Sequence, residues 1–277
     1  MTIRDEAYAG QPISAFIIDA HTHLAPYYMS GWYQTPHETT NEAIVASMDR
    51  LGINCLVSAP HALVTGMMAR ANELVAAAAD EFPDRIYGYL SVCPGEGLDA
   101  LKAELKKYEH HPRFVGMKFL PGYHGKLEQP EYQYAADYAA EKKAVVLTHT
   151  WSNSPDLAEV EELAAKRPDL RVLCAHQGGG AAHLSHRLAE IMKRVPNINM
   201  EICGSLINPL AIEDLVEMVG AERVVFGSDM INLDVRYDFG RVVFSPLPDA
   251  DKRKILADNY LLLLQESQMG RIQVNQA

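Results

Sequence analysis

Eight short apolar runs, each bounded by polar or turn residues and separated from the next by a stretch of helical spacing, constrain this chain more than any other feature. They are "IIDAHTH", "INCLVSAP", "RIYGYLSV", "FVGMKFL", "KAVVLTHT", "LRVLCAH", "INMEICG" and "RVVFGSDM". Near-continuous hydrophobicity marks strands covered on both faces, as in a parallel sheet wrapped by helices. Between them, stretches such as "ETTNEAIVASMDRLG", "TGMMARANELVAAAADEF" and "AAHLSHRLAEIMKRV" place apolar residues at helical spacing, the first with polar capping residues and a closing glycine. Strand and helix alternate throughout the 277 residues. That pattern favours a closed (β/α)₈ TIM barrel over an open doubly wound sheet, as one domain spanning 1–277 with "DADKRKILADNYLLLLQE" as its closing helix.

Composition narrows the partners. A formal charge of −11 argues against a nucleic-acid or anionic-membrane surface, while leaving an anionic small substrate open. No apolar run is long enough to span a bilayer, and the opening "MTIRDEAYAGQP" does not read as a secretory signal. Cys55, Cys93, Cys174 and Cys203 stand singly in strand-like runs, which suits reduced packing thiols in a cytoplasmic protein.

In such barrels chemistry sits at the C-terminal ends of the strands, and the residues placed there are unusual. Run one ends in His21 and His23, which alternation puts on one face; run four carries Lys118, run five ends in His149, run six in His176 and run eight in Asp229. Imidazoles and a carboxylate converging on one layer are a metal-ligand set. Loop residues facing the same end are candidate substrate contacts: His61, Tyr123, Trp151, Asn153 and Arg236, together with Glu201 at the end of run seven. Asp19, a layer deeper than His21, is either a group that orients a ligand imidazole or a buried carboxyl satisfied by backbone. His110 and His111 precede run four at the opposite end of the barrel, and His183 and His186 read as a helix surface.

The ordered set "HTH", "MKF", "THT", "AHQGG" and "GSD", with the closing "ILADNYLLLL", resembles the amidohydrolase superfamily, in particular the branch that includes small lactonases, decarboxylases and hydratases. The resemblance implies His21, His23, His149 and Asp229 as metal ligands, with His176 as a second-metal ligand or a base and electrophile. For Lys118 it implies a carbamate bridging two metals, against which stand a free ammonium gripping a substrate carboxylate and a structural partner of Asp229. The expected cofactor is one or two divalent ions, zinc first among them. The expected partner is a small molecule, and the resemblance adds a homo-oligomer. Three functions follow. The leading expectation is a hydrolase that uses metal-activated hydroxide on an amide, lactone or related carbonyl bond, with Asp229 and His176 handling protons. The alternative is a metal-dependent non-oxidative decarboxylase or hydratase of a small carboxylic acid, and the third is a catalytically silent ligand-binding barrel.

Overall fold

The computed structural model describes residues 1–24, 40–152, 155–204 and 210–274. Eight parallel strands follow one another in chain order around a single sheet: β1 (Ile18–Thr22), β2 (Cys55–Ser58), β3 (Ile86–Val92), β4 (Phe114–Phe119), β5 (Val145–Thr148), β6 (Arg171–Cys174), β7 (Ile198–Glu201) and β8 (Val224–Val225). Hydrogen bonds from Ala20 N–H to Phe226 O and from Asp229 N–H to His21 O carry the sheet back to its first strand, so the barrel expected from the alternation is present.

Strand burial explains the runs. Every residue of β2 to β5 is buried, as strands wrapped on both faces require. Helix α1 (Ile3–Tyr8) precedes the first strand; between the strands lie α2 (Asn41–Leu51), α3 (Met68–Glu81), α4 (Leu98–Tyr108), α5 (Pro130–Glu141), α6 (Leu157–Ala165), α7 (Ala182–Arg194) and α8 (Ile212–Val219), followed by α9 (Val235–Val243), α10 (Asp249–Arg253) and α11 (Asn259–Leu264). Local chemistry sets their ends. The Thr40 hydroxyl accepts from Ala43 N–H at 3.2 Å to start α2, and Gly52 closes it at φ 72°. Pro130 opens α5, where its missing N–H costs nothing.

Strand eight is shorter than its sequence run. Only Val224 and Val225 lie in the ladder, because the chain then turns to bring Ser228 and Asp229 over the end of β1. Gly227 permits this approach: a Cβ there would meet Glu201 Oε1 at 2.3 Å and His21 Cβ at 2.8 Å. Among the described residues, no helix is long and apolar enough to cross a membrane.

Candidate metal centre and active site

The site is built where strands end. His21 lies on β1 and His23 just past it, both buried, and the Nδ1–H of His23 donates to Ala59 O at 2.7 Å. With Nδ1 engaged there, His23 Nε2 is the ring atom left for the site, and it faces Asp229 Oδ1 at 3.0 Å. Both atoms can turn lone pairs to one metal ion, which would take the place of a proton between them. His21 Nε2 lies 3.9 Å from the same oxygen, and the donor atoms of His21, His23 and Asp229 all fall within 4.8 Å of one another. This donor set fits a divalent ion. Asp229 is held in the left-handed region at φ 59°, and the Asn232 amide donates to its Oδ1 at 3.1 Å. Burial alone would raise the Asp229 carboxyl, but the adjoining His23 and His176 rings and the Asn232 amide together hold it below the usual range.

The other half comes from β4 to β6. Lys118 is fully buried on β4 with Nζ 2.8 Å from His21 Nε2, and burial lowers its ammonium to about 8. His149 follows β5 and His176 follows β6, with His149 Nδ1 and His176 Nε2 3.1 Å apart. Loss of hydration at the pocket floor, and then the surrounding cationic groups, push the His21 and His149 rings well below their ordinary range, while burial brings His176 to about 4. The rings are therefore neutral, as metal donors must be.

Beneath the rings sits Glu201, completely buried at the end of β7. It accepts from His21 Nδ1–H at 2.9 Å, Cys203 N–H at 2.5 Å and His176 N–H at 3.3 Å. Burial pushes it up to about 8 against these donors. The structure thus corrects one expectation: Glu201 faces the back of His21 and not the pocket, so it orients an imidazole and does not touch substrate. Asp19, offered as such an orienting group, instead accepts from Ser228 Oγ–H at 2.5 Å, Ser228 N–H at 3.0 Å and His21 N–H at 3.3 Å. It ties β1 to the segment after β8, and burial raises it to about 7.

Above the rings opens a cavity of about 360 Å³, within the range that holds a small molecule. His23, His149, His176 and Asp229 form its floor; His61, Tyr123 and Trp151 line it as expected, with Val64, Leu120 and Leu233 as apolar walls that the sequence pattern does not single out. His61 stacks on His23 at 4.8 Å and 14°, and Trp151 meets His176 edge-on at 5.3 Å. Arg236 does not join them: its side chain is 73% exposed and paired with Asp234. A two-residue offset explains this, since Arg236 sits in the first turn of α9 beside the Asp234 cap. Asn153 lies outside the described residues. His111 packs on Tyr108 and Phe114 away from the cavity, and His183 and His186 are exposed on α7.

Cys203 is the residue that sequence reasoning read too blandly. Its Sγ lies 3.0 Å from His21 Nδ1, 3.2 Å from His176 Nδ1 and 2.9 Å from Glu201 Oε2. The signal was available: in "MEICG" the thiol stands two residues after Glu201, hence on the same face of an extended segment. Cys174, by contrast, is buried among core residues as a filler.

A strand-end cluster of neutral imidazoles and one carboxylate below an apolar cavity defines a barrel of the metal-assisted class. The profile of the amidohydrolase family matches residues 18–259, and this chain belongs to that family. Among solved structures it is similar to 2,6-dihydroxybenzoate decarboxylase from Rhizobium, at 16% identity and TM-score 0.71 over 91% of this chain and 99% of that one. It is also similar to 5-carboxyvanillate decarboxylase LigW from Sphingomonas paucimobilis, at 13% identity and TM-score 0.71 over 92% and 100%. A third is a dihydroxybenzoic acid decarboxylase from Polaromonas sp. JS666 with bound manganese and 2-nitroresorcinol, at 15% identity and TM-score 0.68 over 91% and 97%. No curated protein sequence matches the chain.

Proposed function

We propose that this enzyme of the amidohydrolase superfamily is a metal-dependent non-oxidative decarboxylase of a small planar carboxylic acid. The observation that carries the reading is His176: a neutral imidazole at the floor of a cavity walled by Val64, Leu120, Leu233, Trp151 and Tyr123, beside the donor cluster. Flat apolar walls suit an aromatic or enoic body, and a ring nitrogen beside the head group suits proton delivery. Similarity to decarboxylases of the same fold supports it, and displaces bond hydrolysis as the leading expectation.

His21, His23, His149 and Asp229 would hold the ion, which when bound supplies a Lewis-acid grip on the carboxylate and a neighbouring oxygen. Manganese, bound in three of the similar structures, stands ahead of zinc. The protein's own part is a proton. As the bond to the leaving carbon dioxide breaks, its electron pair stays on the substrate carbon, and His176 relays to that carbon one proton that its Nε2 has taken up from solvent, returning to the neutral ring. The aromatic walls orient the ring and exclude water from the reacting carbon.

The test is carbon dioxide release by manganese-loaded protein across hydroxybenzoic and enoic acids, the former chosen because the similar enzymes are named for them. Release is expected, with kcat reduced ~10²–10⁴-fold in His176→Asn at unchanged metal content, the range for loss of a proton carrier. A full panel without release, alongside cleavage of a lactone, ester or amide, overturns the reading.

One arrangement favours hydrolysis as a second reading: Lys118 Nζ beside His21 Nε2 at 2.8 Å, with His149 Nδ1 and His176 Nε2 converging at 3.1 Å. Those groups would serve a second ion bridged by a Lys118 carbamate, and burial supplies the neutral amine that carbamylation needs. Elemental analysis after loading in bicarbonate separates the two. About one ion per chain fits the decarboxylase, and about two, lost in Lys118→Arg, fits the hydrolase.

A further inference from the structure

We propose that Cys203 is a positioning residue for His176, and that its thiol fixes that imidazole as the Nδ1–H tautomer so that Nε2 faces the site as a lone pair. The inference follows from counting protons. Cys203 Sγ lies 2.9 Å from Glu201 Oε2 and 3.2 Å from His176 Nδ1, and the thiol has one proton to give. Glu201 is the stronger acceptor, because every neighbour that reaches its oxygens is a donor, a set that selects the carboxylate against the pull of burial: His21 Nδ1–H, the Cys203 and His176 backbone N–H groups, and the thiol itself. With S–H turned to Glu201, sulfur lone pairs face His176 Nδ1, and the Cys203 backbone adds a lesser acceptor for the same ring. Its Nδ1 must then carry the hydrogen, donating to Sγ, and its Nε2 is left bare toward His149 Nδ1 at 3.1 Å.

An independent observation points to the same contact. The next residue is Gly204 at φ 76°, and a Cβ there would meet His176 Nδ1 at 2.5 Å and Cγ at 3.3 Å. No other residue lets the ring lie flat enough against this turn to reach the sulfur. His176 is itself held in the left-handed region at φ 54°, buried to 3% exposure, so its placement is imposed by surroundings and not by its own backbone preference. Glu201, Cys203 and Gly204 together form a short ledge under the Nδ1 edges of two imidazoles, with the carboxylate serving His21 and the sulfur serving His176.

The inference rests on the reading that His176 works through Nε2, which holds whether it carries a proton or binds a second ion. The experiment is long-range ¹⁵N–¹H correlation of the histidine side chains in zinc-loaded protein, zinc being diamagnetic, with kinetics on the manganese-loaded protein. Wild type is expected to show His176 protonated at Nδ1 only. Cys203→Ala should lose that single-tautomer signature and reduce kcat ~10–100-fold, the range for groups behind a metal site, with KM within about twofold and metal content unchanged. Cys203→Ser, whose hydroxyl donates and accepts in the same way, should restore the tautomer and most of kcat, whereas a purely space-filling role would be restored by valine instead. Gly204→Ala should reproduce the alanine defect by displacing the ring. His176 protonated at Nε2 in wild type, or a tautomer unmoved in Cys203→Ala, overturns the proposal. If Cys203→Ala does not fold, the wild-type and Cys203→Ser spectra decide the matter. These spectra need no substrate, so the tautomer they report stands even if no decarboxylation is found.

Discussion

Two groups of buried polar side chains occupy the same barrel, and they are satisfied in opposite ways. At the mouth, His23 Nε2 and Asp229 Oδ1 face each other across 3.0 Å as atoms that can bind one metal ion, and Lys118 is buried against a neutral ring. One residue further from the mouth along β1, the Tyr89 hydroxyl donates to Ala20 O at 2.8 Å and the Tyr260 hydroxyl donates to Tyr89 at 2.7 Å. Burial pushes both tyrosines up, so they stay neutral and every proton in that chain has an acceptor. The tyrosine pair is complete as it stands. The mouth is not: its donor atoms are arranged for a metal ion. Buried polar groups thus mark function here by the bonds they lack.

The largest effect should come from cutting the incomplete cluster. His23→Ala removes one of the facing lone pairs, so turnover should vanish and bound metal should fall to background by elemental analysis. Added manganese should raise the melting temperature of wild type and not of the variant. Equal stabilisation of both would break the contrast drawn above.

Glu201→Gln probes the boundary between the two groups and should act less strongly. The amide keeps the shape but turns an N–H₂ toward groups that already donate, chiefly His21 Nδ1–H and the Cys203 thiol. Metal affinity or kcat should fall ~10–100-fold, as for other carboxylates behind a ligand histidine. Equilibrium dialysis against manganese checks this; an unchanged affinity with unchanged kcat would place Glu201 among the inert core groups.

How far the sequence carried this picture follows from the same contrast. Strands and helices were legible because burial on both faces leaves unbroken apolar runs, and "KAVVLTHT" or "LRVLCAH" can hardly be anything else. The histidines and Asp229 were legible because the barrel says which strand end faces the site. Helix α1, at six residues, was too short for periodicity to reveal, although its Thr2–Asp5 capping box was present. The two-residue β8 was overestimated in length because Phe226 prolongs its apolar run and the turn that delivers Asp229 is as buried as a strand. Cys203 was illegible for a different reason: a thiol looks apolar in a sequence, and its partners His21 and His176 lie 182 and 27 residues away. Arg236 was placed by its loop position after strand eight, and Glu201 because a carboxylate leaving a buried strand needs a partner, which does not say whether that partner lies at the front of a ring or behind it.

The smallest effect should come from the complete pair, and its size is the sharpest check on the comparison. In Tyr260→Phe the lost hydroxyl was the donor to Tyr89, whose own proton still reaches Ala20 O. No buried donor or carbonyl is left without a partner, so the cost should be that of one ordinary hydrogen bond, ~0.5–1.5 kcal/mol by urea unfolding. Tyr89→Phe is the counterpart that should cost more, ~1–3 kcal/mol, because it strands both the Tyr260 proton and the Ala20 carbonyl. Neither should change kcat by more than about twofold, since His21 is set by Glu201 and not by the tyrosines. If Tyr260→Phe instead lowered kcat tenfold, ~1.4 kcal/mol of transition-state stabilisation would have to travel from the tyrosine pair through Ala20 to its neighbour His21. The mouth and the interior beneath it would then be one network, and the division between a complete and an incomplete set of buried groups would fail.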